Sequence, residues 1–316
     1  MKKTAFISLL MCLISLMTPG YSQKPTYHWK NDPTSLALIK SNPGSQDFVL
    51  WQLNMDPKLK PFFHPVCSPD GTLLTAEAPA DHPWHLGLWF CWKYINKLNY
   101  WEFTGDTKKA ISEGRTDVKD TKIKLKKNGQ ATIDMQIQYH PWEKPGEPVM
   151  KEFRTIFVSA PAKDGSYFIE YDMRFSAIVD VVLDRTPVQK NADGVTWGGY
   201  AGLSMRFDQK LANPRYFSET RDSVINGEGN PYVAANLTTP GGKIVQTVIF
   251  DHPENPRYPS GWYTINRPAN RFWFFSPALL YQSALELKAG EQMRLRYKIL
   301  IPSKPLEKNQ IINTKF

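Results

Sequence analysis

Three histidines, His64, His82 and His85, lie close together in the sequence, and the last two are separated by only two residues. One of those two is Pro83, which lacks a backbone donor and favours extended geometry in the residue before it. This spacing therefore predicts a loop that enters a strand. In such a loop Asp81, His82 and His85 can converge on one point.

Imidazoles suit general acid/base work near neutral pH, or coordination of zinc or another transition metal. A neighbouring carboxylate such as Asp81 can fix the tautomer of a histidine. The spacing matches no zinc signature and lacks an obvious fourth ligand, so it favours catalysis or substrate hydrogen bonding by His82, His85 and His64 without a metal. A metal site at these histidines, or a structural role beside aromatic rings, is the alternative.

A second segment, 251–263, repeats the Asp-His-Pro triplet of 81–83 and contains His252, Arg257 and Trp262. It follows a predicted strand, and loops that carry function gather at strand ends. We therefore expect His252 and Arg257 to join the histidines of the first loop. The alternative is a rigid connection pinned by prolines.

A third segment, 197–206, is rich in glycine and ends at Arg206 on a predicted strand. Glycine lets a ligand or another backbone approach closely. Arg206 can clamp a carboxylate or hydroxyl groups, or form a structural ion pair.

Tryptophans are concentrated in and near these three segments. Their flat rings can stack on the apolar faces of sugars, although aromatic residues also fill sandwich cores. We expect Trp84, Trp89 and Trp262 to contact a saccharide together with Arg206 and Arg257. The full set is Trp84, Trp89, Trp92, Trp101, Trp197, Trp262 and Trp273.

Apolar and polar residues alternate along 133–139, 169–175 and 293–301, which is typical of half-buried antiparallel strands. No stretch forms a convincing amphipathic helix, and the best candidate is 34–40. Strands and hairpin turns without alternating helices predict an all-β fold, an antiparallel β-sandwich. Further strands are expected at 46–52, 85–92, 121–127, 150–159, 201–207, 243–250 and 270–275.

The N-terminus has the form of a signal peptide over residues 1–22, with two lysines, an apolar run and small residues before a cleavage site after Ser22. A lipoprotein signal at Cys12 is the alternative, but Leu9-Leu10-Met11 lacks the small side chains it needs. The sequence thus predicts a periplasmic or secreted protein with one domain over 23–316. No later stretch approaches the ~20 apolar residues of a membrane helix, so no integral membrane segment is expected after cleavage.

Removing the two leader lysines from 39 basic residues leaves 37 against 30 acidic ones, a net charge of +7. These charges are scattered, which argues against a nucleic-acid partner. No dinucleotide fingerprint, phosphate-binding loop or nucleophile elbow occurs, and no cofactor is expected. After the leader two cysteines remain, Cys67 and Cys91, which can form one disulfide or stay as buried thiols.

Four strings carry a resemblance that covers nearly the whole mature chain: Pro61-Phe62-Phe63-His64-Pro65, Asp81-His82-Pro83-Trp84-His85-Leu86-Gly87-Leu88-Trp89-Phe90, Tyr200-Ala201-Gly202-Leu203, and Asp251-His252-Pro253 with Asn255-Pro256-Arg257. They resemble a family of secreted bacterial proteins that automatic pipelines often label methane oxygenase PmoA. Members of that family commonly carry His-Pro-His-His where this chain has Trp84 as the third residue. The resemblance implies a role in saccharide breakdown and a galactose-mutarotase-like supersandwich.

Together these features predict a secreted or periplasmic carbohydrate-active enzyme with a saccharide or modified glycoside as its ligand. Its reaction would be hydrolysis, elimination or epimerisation in a histidine-rich cleft. The alternatives are a non-catalytic carbohydrate-binding or envelope scaffold protein, and a metal-dependent enzyme that uses the histidine cluster.

Overall fold

The computed structural model describes residues 25–42, 44–103, 111–191, 193–314 and 316, so the leader predicted over 1–22 lies outside the described residues. Strands form 51% of the structure and helices 3%, which confirms the predicted all-β sandwich of antiparallel sheets. Within the described ranges, neither of the two short helices has the length and apolar character to cross a bilayer.

The first sheet has eight antiparallel strands. Three of them lie within residues 61–92 and 197–206, which contain candidate site residues. In spatial order its strands are β1 (Thr26–Asp32), β2 (Ser35–Ser41), β3 (Phe48–Asn54), β4 (Phe62–Val66), β5 (Leu88–Cys91), β13 (Gly202–Arg206), β18 (Phe272–Pro277) and β17 (Trp262–Arg267).

The second sheet also has eight antiparallel strands, several of them longer than those of the first. In spatial order they are β14 (Ala212–Phe217), β15 (Tyr232–Thr238), β16 (Ile244–Asp251), β20 (Gln292–Ile301), β11 (Tyr167–Ala177), β10 (Met150–Val158), β9 (Ala131–Pro141) and β8 (Gly114–Leu125).

A small third sheet is formed by four short strands. Its order is β19 (Leu285–Leu287), β12 (Val181–Asp184), β6 (Tyr94–Ile95) and β7 (Leu98–Asn99). A 3₁₀ turn, Pro268–Asn270, links β17 to β18, and the helix α1 (Lys308–Ile312) follows β20.

The core lies between the two large sheets. In β11 every second residue from Tyr167 to Ala177 is buried, as the alternation in the sequence predicts. Across the core, the ring of Phe175 lies 5.6 Å from that of Phe90 on β5, and the ring of Tyr171 lies 6.3 Å from that of Phe63 on β4. These contacts show which face of the first sheet points inward.

Two features that the sequence left open are settled. The segment 34–40, the best helix candidate, lies in strand β2. Cys67 and Cys91 are buried free thiols and do not form a disulfide.

Candidate functional site

The outer face of the first sheet carries the candidate site. Arg206 on β13 pairs with Phe274 on β18, which in turn pairs with Ile265 on β17, while Ser204 pairs with Trp89 on β5. Paired residues in neighbouring strands point to the same side of a sheet. Because the adjacent Phe90 points into the core, these five side chains point away from the second sheet.

The connection between β4 and β5 folds over this face. The backbone N–H groups of His82 and His85 donate to the carbonyls of Pro79 and His82, at 2.9 Å each, so the loop makes two consecutive turns. The loop re-enters the sheet at Gly87, which has φ +72°, and a Cβ there would lie 2.3 Å from the carbonyl oxygen of Phe63. A glycine is thus required where the loop joins the sheet.

The rings of His82 and His85 stack on each other, with centroids 4.7 Å apart and planes inclined by 29°. His85 is almost completely buried, against Trp89 at 5.1 Å between centroids. Burial lowers the pKa of His85 well below its ordinary value, and the nearby His82 and Arg206 act in the same direction. The His85 imidazole is therefore neutral at neutral pH.

His82 lies beside a partly buried ion pair, in which Arg206 is buried and Asp81 reaches the surface. Arg206, which is fully buried, donates to both carboxylate oxygens of Asp81, and Asp81 lies 3.2 Å from Nδ1 of His82. Burial lowers the pKa of His82, and Asp81 only partly offsets this. Burial acts to raise the pKa of Asp81, but the hydrogen bonds and charge of Arg206 outweigh it and keep the carboxylate ionised. The contact with Asp81 thus lies at Nδ1 of His82, on the opposite side of the ring from Nε2.

A carboxylate from outside the three predicted segments joins the histidines. Glu102 forms an ion pair with the buried Lys93 and accepts hydrogen bonds from Asn99 Nδ2 at 2.6 Å and from the Tyr200 hydroxyl at 3.2 Å. Burial acts to raise the pKa of Glu102, but Lys93 and these donors outweigh it, so the pKa lies below its ordinary value. Glu102 is ionised at neutral pH.

These groups surround a cavity of about 340 Å³ with mostly aromatic walls. Its lining residues are His82, Trp84, His85, Trp101, Glu102, Trp197, Tyr200, Tyr263, Ile265, Arg267, Phe272 and Phe274. No group of three or more His, Cys, Asp or Glu side chains suited to hold a metal ion occurs in the part of the chain that the structure describes.

Several predicted residues support this cavity from behind or beside it. Trp89 is fully buried under His85, and Arg206 is buried under Phe272, whose ring centroid is 3.7 Å from the guanidinium carbon. His64 on β4 lies outside the lining, with Nδ1 3.0 Å from the Thr75 hydroxyl and Nε2 3.8 Å from a Glu77 oxygen. Neither Trp89 nor His64 lines this cavity, and their expected roles at a ligand stay predictions.

The second Asp-His-Pro loop does not reach the cavity. It follows β16 of the other sheet, where His252 Nδ1 accepts a hydrogen bond from the Glu254 N–H and the ring contacts Phe316 at 4.6 Å. Asp251 is buried and accepts hydrogen bonds from Asn255 Nδ2 and the Ser260 N–H, both at 2.7 Å. The cavity lining includes His82 and His85 of the first loop but neither Asp251 nor His252 of the second, so the two loops do not both line it.

Arg257 and Trp262 are also structural. Arg257 donates to the carbonyls of Leu279, Ser283 and Ala284, at distances between 2.7 and 3.2 Å. Trp262 is fully buried, and its Nε1 donates to the Asn230 carbonyl. Neither Arg257 nor Trp262 lines the cavity, and their predicted contact with a substrate stays a prediction.

Sequence reasoning missed Glu102 as a member of the site. It also missed Phe272, Phe274 and Tyr263, which alternate on the outer face of β18 and β17. The period-2 pattern of 270–275 identifies which of its residues share a face, but the sequence does not show that this strand lies beside β13. The local sequence Tyr100-Trp101-Glu102 contains no motif that marks this carboxylate as a site residue.

An aromatic cavity with two imidazoles and one carboxylate, on the outer face of an antiparallel β-sandwich, is the arrangement of a small-molecule site. The profile of a family of unknown function, DUF6807, matches residues 44–314, and the chain therefore belongs to that family. No curated protein matches the chain.

Proposed function

We propose that this protein is a carbohydrate-active enzyme that binds one sugar unit of a saccharide or glycoside in the cavity and transfers a proton to or from it. The observation that carries the proposal is the presence of His82, His85 and the ionised Glu102 on one aromatic-walled cavity. The signal peptide that the sequence predicts over residues 1–22 supports action in the periplasm or outside the cell.

The cavity suits a sugar in size and chemistry. Its volume of about 340 Å³ lies at the small end of ligand sites, which span about 300–1,000 Å³. Rings such as Trp84 and Trp197 offer flat surfaces for the apolar face of a pyranose, while Glu102 accepts hydrogen bonds from hydroxyl groups. A wholly apolar ligand would leave the Glu102 carboxylate without a partner on its exposed side.

The protonation states favour proton abstraction over two-carboxylate hydrolysis. Glycoside hydrolysis by that route needs one protonated acid and a second carboxylate. Glu102 is the single carboxylate among the described residues that line the cavity, and its lowered pKa keeps it ionised. A neutral imidazole can accept a proton from carbon or oxygen. Epimerisation or elimination at a carbon beside a carbonyl group, as in an oxidised glycoside, is the reaction that this arrangement supports best, with His82 Nε2 as the base and the carbonyl oxygen taking up the electron pair of the broken C–H bond.

The test is a screen of the purified protein against neutral and acidic oligosaccharides and oxidised glycosides, with binding measured by calorimetry and turnover by chromatography. We expect the variant His82→Gln to bind the ligand and to lose turnover by about two orders of magnitude or more. Binding without turnover by the wild type would instead identify a carbohydrate-binding protein. Binding of no saccharide would refute the proposal.

A further inference from the structure

A second, larger depression lies directly beside the cavity. It has a volume of about 1,090 Å³ and shares the lining residues Trp84 and Glu102 with the cavity, so the two spaces adjoin. We call it the outer cleft. Besides the two shared residues, the outer cleft is lined by Asn99 at the end of β7 and by Ser112 just before β8. It is also lined by Trp142 in the hairpin between β9 and β10.

Trp142 is a fixed aromatic surface in the outer cleft. The guanidinium carbon of Arg115 lies 4.8 Å from its ring centroid and covers one face. Arg115 is itself anchored, because it donates to the carbonyls of Lys58 and Pro57 and pairs with Asp117 at 3.2 Å. Trp142 lines the cleft and is only half-buried, so part of its ring is accessible to a ligand. A ring held in this way binds with little loss of side-chain entropy.

The charge of the outer cleft is acidic. Glu113, Glu143 and Glu147 line it together with Glu102, while Lys144 is the one basic residue among its described lining and pairs with Glu147 at 2.9 Å. Like charges at close range disfavour a polyanion. Carboxylates and an amide side chain suit the hydroxyl groups of an uncharged glycan.

We infer that the outer cleft binds the next units of a neutral oligosaccharide whose reacting unit occupies the cavity. Trp84, which lines both spaces, marks the junction between them. This inference rests on the proposed function and adds the substrate class, a neutral chain of several units in place of a single sugar.

The test uses length series of neutral gluco-, xylo- and galacto-oligosaccharides from one to six units, with oligogalacturonides as the acidic series, and binding to the full mature chain by calorimetry. For the neutral series that binds, affinity should rise with length beyond one unit. Trp142→Ala should weaken binding of the longer members about fivefold and leave the single unit unchanged, the range expected of one aromatic contact. Trp142→Phe should restore most of the loss.

Phe153→Ala is the matched control, because Phe153 is exposed on the outer face of the second sheet, and it should change neither affinity nor melting temperature. Equal affinity for one and six units, an equal effect of Trp142→Ala on all lengths, or tighter binding of the acidic series would overturn the inference and leave the proposed function standing. Binding of no sugar of any length would overturn the proposed function and this inference with it.

Discussion

One guanidinium nitrogen of Arg206 donates hydrogen bonds to both carboxylate oxygens of Asp81, at 3.1 and 2.9 Å. Asp81 then lies 3.2 Å from Nδ1 of His82, and the same guanidinium packs on the ring of Phe272. The imidazole that we propose as the base is thus oriented through a carboxylate by a cation buried beneath the cavity. An ion pair of this kind acts on position more than on overall stability.

Removing one partner of this pair should be costly. Asp81→Asn leaves the buried charge of Arg206 without a counterion, and we expect a loss of about 3 kcal/mol in the free energy of unfolding, measured with urea. The double variant Asp81→Asn with Arg206→Met should lose less than the sum of the single changes, because it buries no unpaired charge. Simple additivity would show that the two residues are not coupled.

The stability of the protein should fall in mild acid because of His85. Its pKa is lowered in the folded state, so the unfolded chain binds more protons below the ordinary histidine pKa of about 6.5. The stability that the neutral His85 side chain contributes is fully present above pH 6.5. It is lost as the pH falls, by at most about 1.4 kcal/mol of unfolding free energy per pH unit. Melting temperatures between pH 7.5 and 5 should show a weaker fall for His85→Gln than for the wild type. His28→Gln, on the exposed strand β1, is the control and should follow the wild type.

Lys93 should set the pH below which Glu102 no longer binds the ligand as a carboxylate. It lowers the pKa of Glu102, so Lys93→Met should raise that pKa and move the acid-side loss of ligand affinity to higher pH. A purely structural role would lower affinity equally at every pH. Rescue of the affinity profile by Lys93→Arg would support a charge effect, and an unmoved profile in Lys93→Met would contradict it.

Arg257 should matter for folding and not for binding. Arg257→Ala removes donors from three carbonyl groups, and we expect a loss of about 1–3 kcal/mol in unfolding free energy. Trp84→Ala, at the cavity, should show the reverse, with weakened saccharide binding and a small change in stability. If the Arg257→Ala variant loses ligand affinity at a temperature where the variant stays folded, Arg257 contributes to the binding site and this prediction is wrong.

Local patterns predicted the strands better than they predicted the site. The alternation of 169–175 and 293–301 gives the buried faces of β11 and β20, because a period of two depends only on neighbouring residues. Likewise His82 and His85 share the cavity because one short loop carries both.

The positions of His252 and Glu102 relative to the cavity depend on strand order, which local patterns do not encode. His252 and His82 each stand in an Asp-His-Pro triplet. The triplet of His82 follows β4 of the first sheet, whereas the triplet of His252 begins at the end of β16 in the second sheet. Glu102 has no motif around it, and its role arises only because Lys93 and Tyr200 meet it in space. Predicting either residue requires the pairing of distant strands.

Alkylation of the two buried thiols, Cys67 and Cys91, can report local opening of the first sheet. Burial raises the pKa of Cys67 to about 12, and the Cys91 thiol donates to the carbonyls of Trp92 and Tyr100, so an alkylating reagent meets no thiolate in the closed fold. Cys67 follows β4 and Cys91 ends β5, two adjacent strands of the first sheet. The rate at which each thiol is labelled therefore measures how often this part of the sheet separates, without any engineered probe.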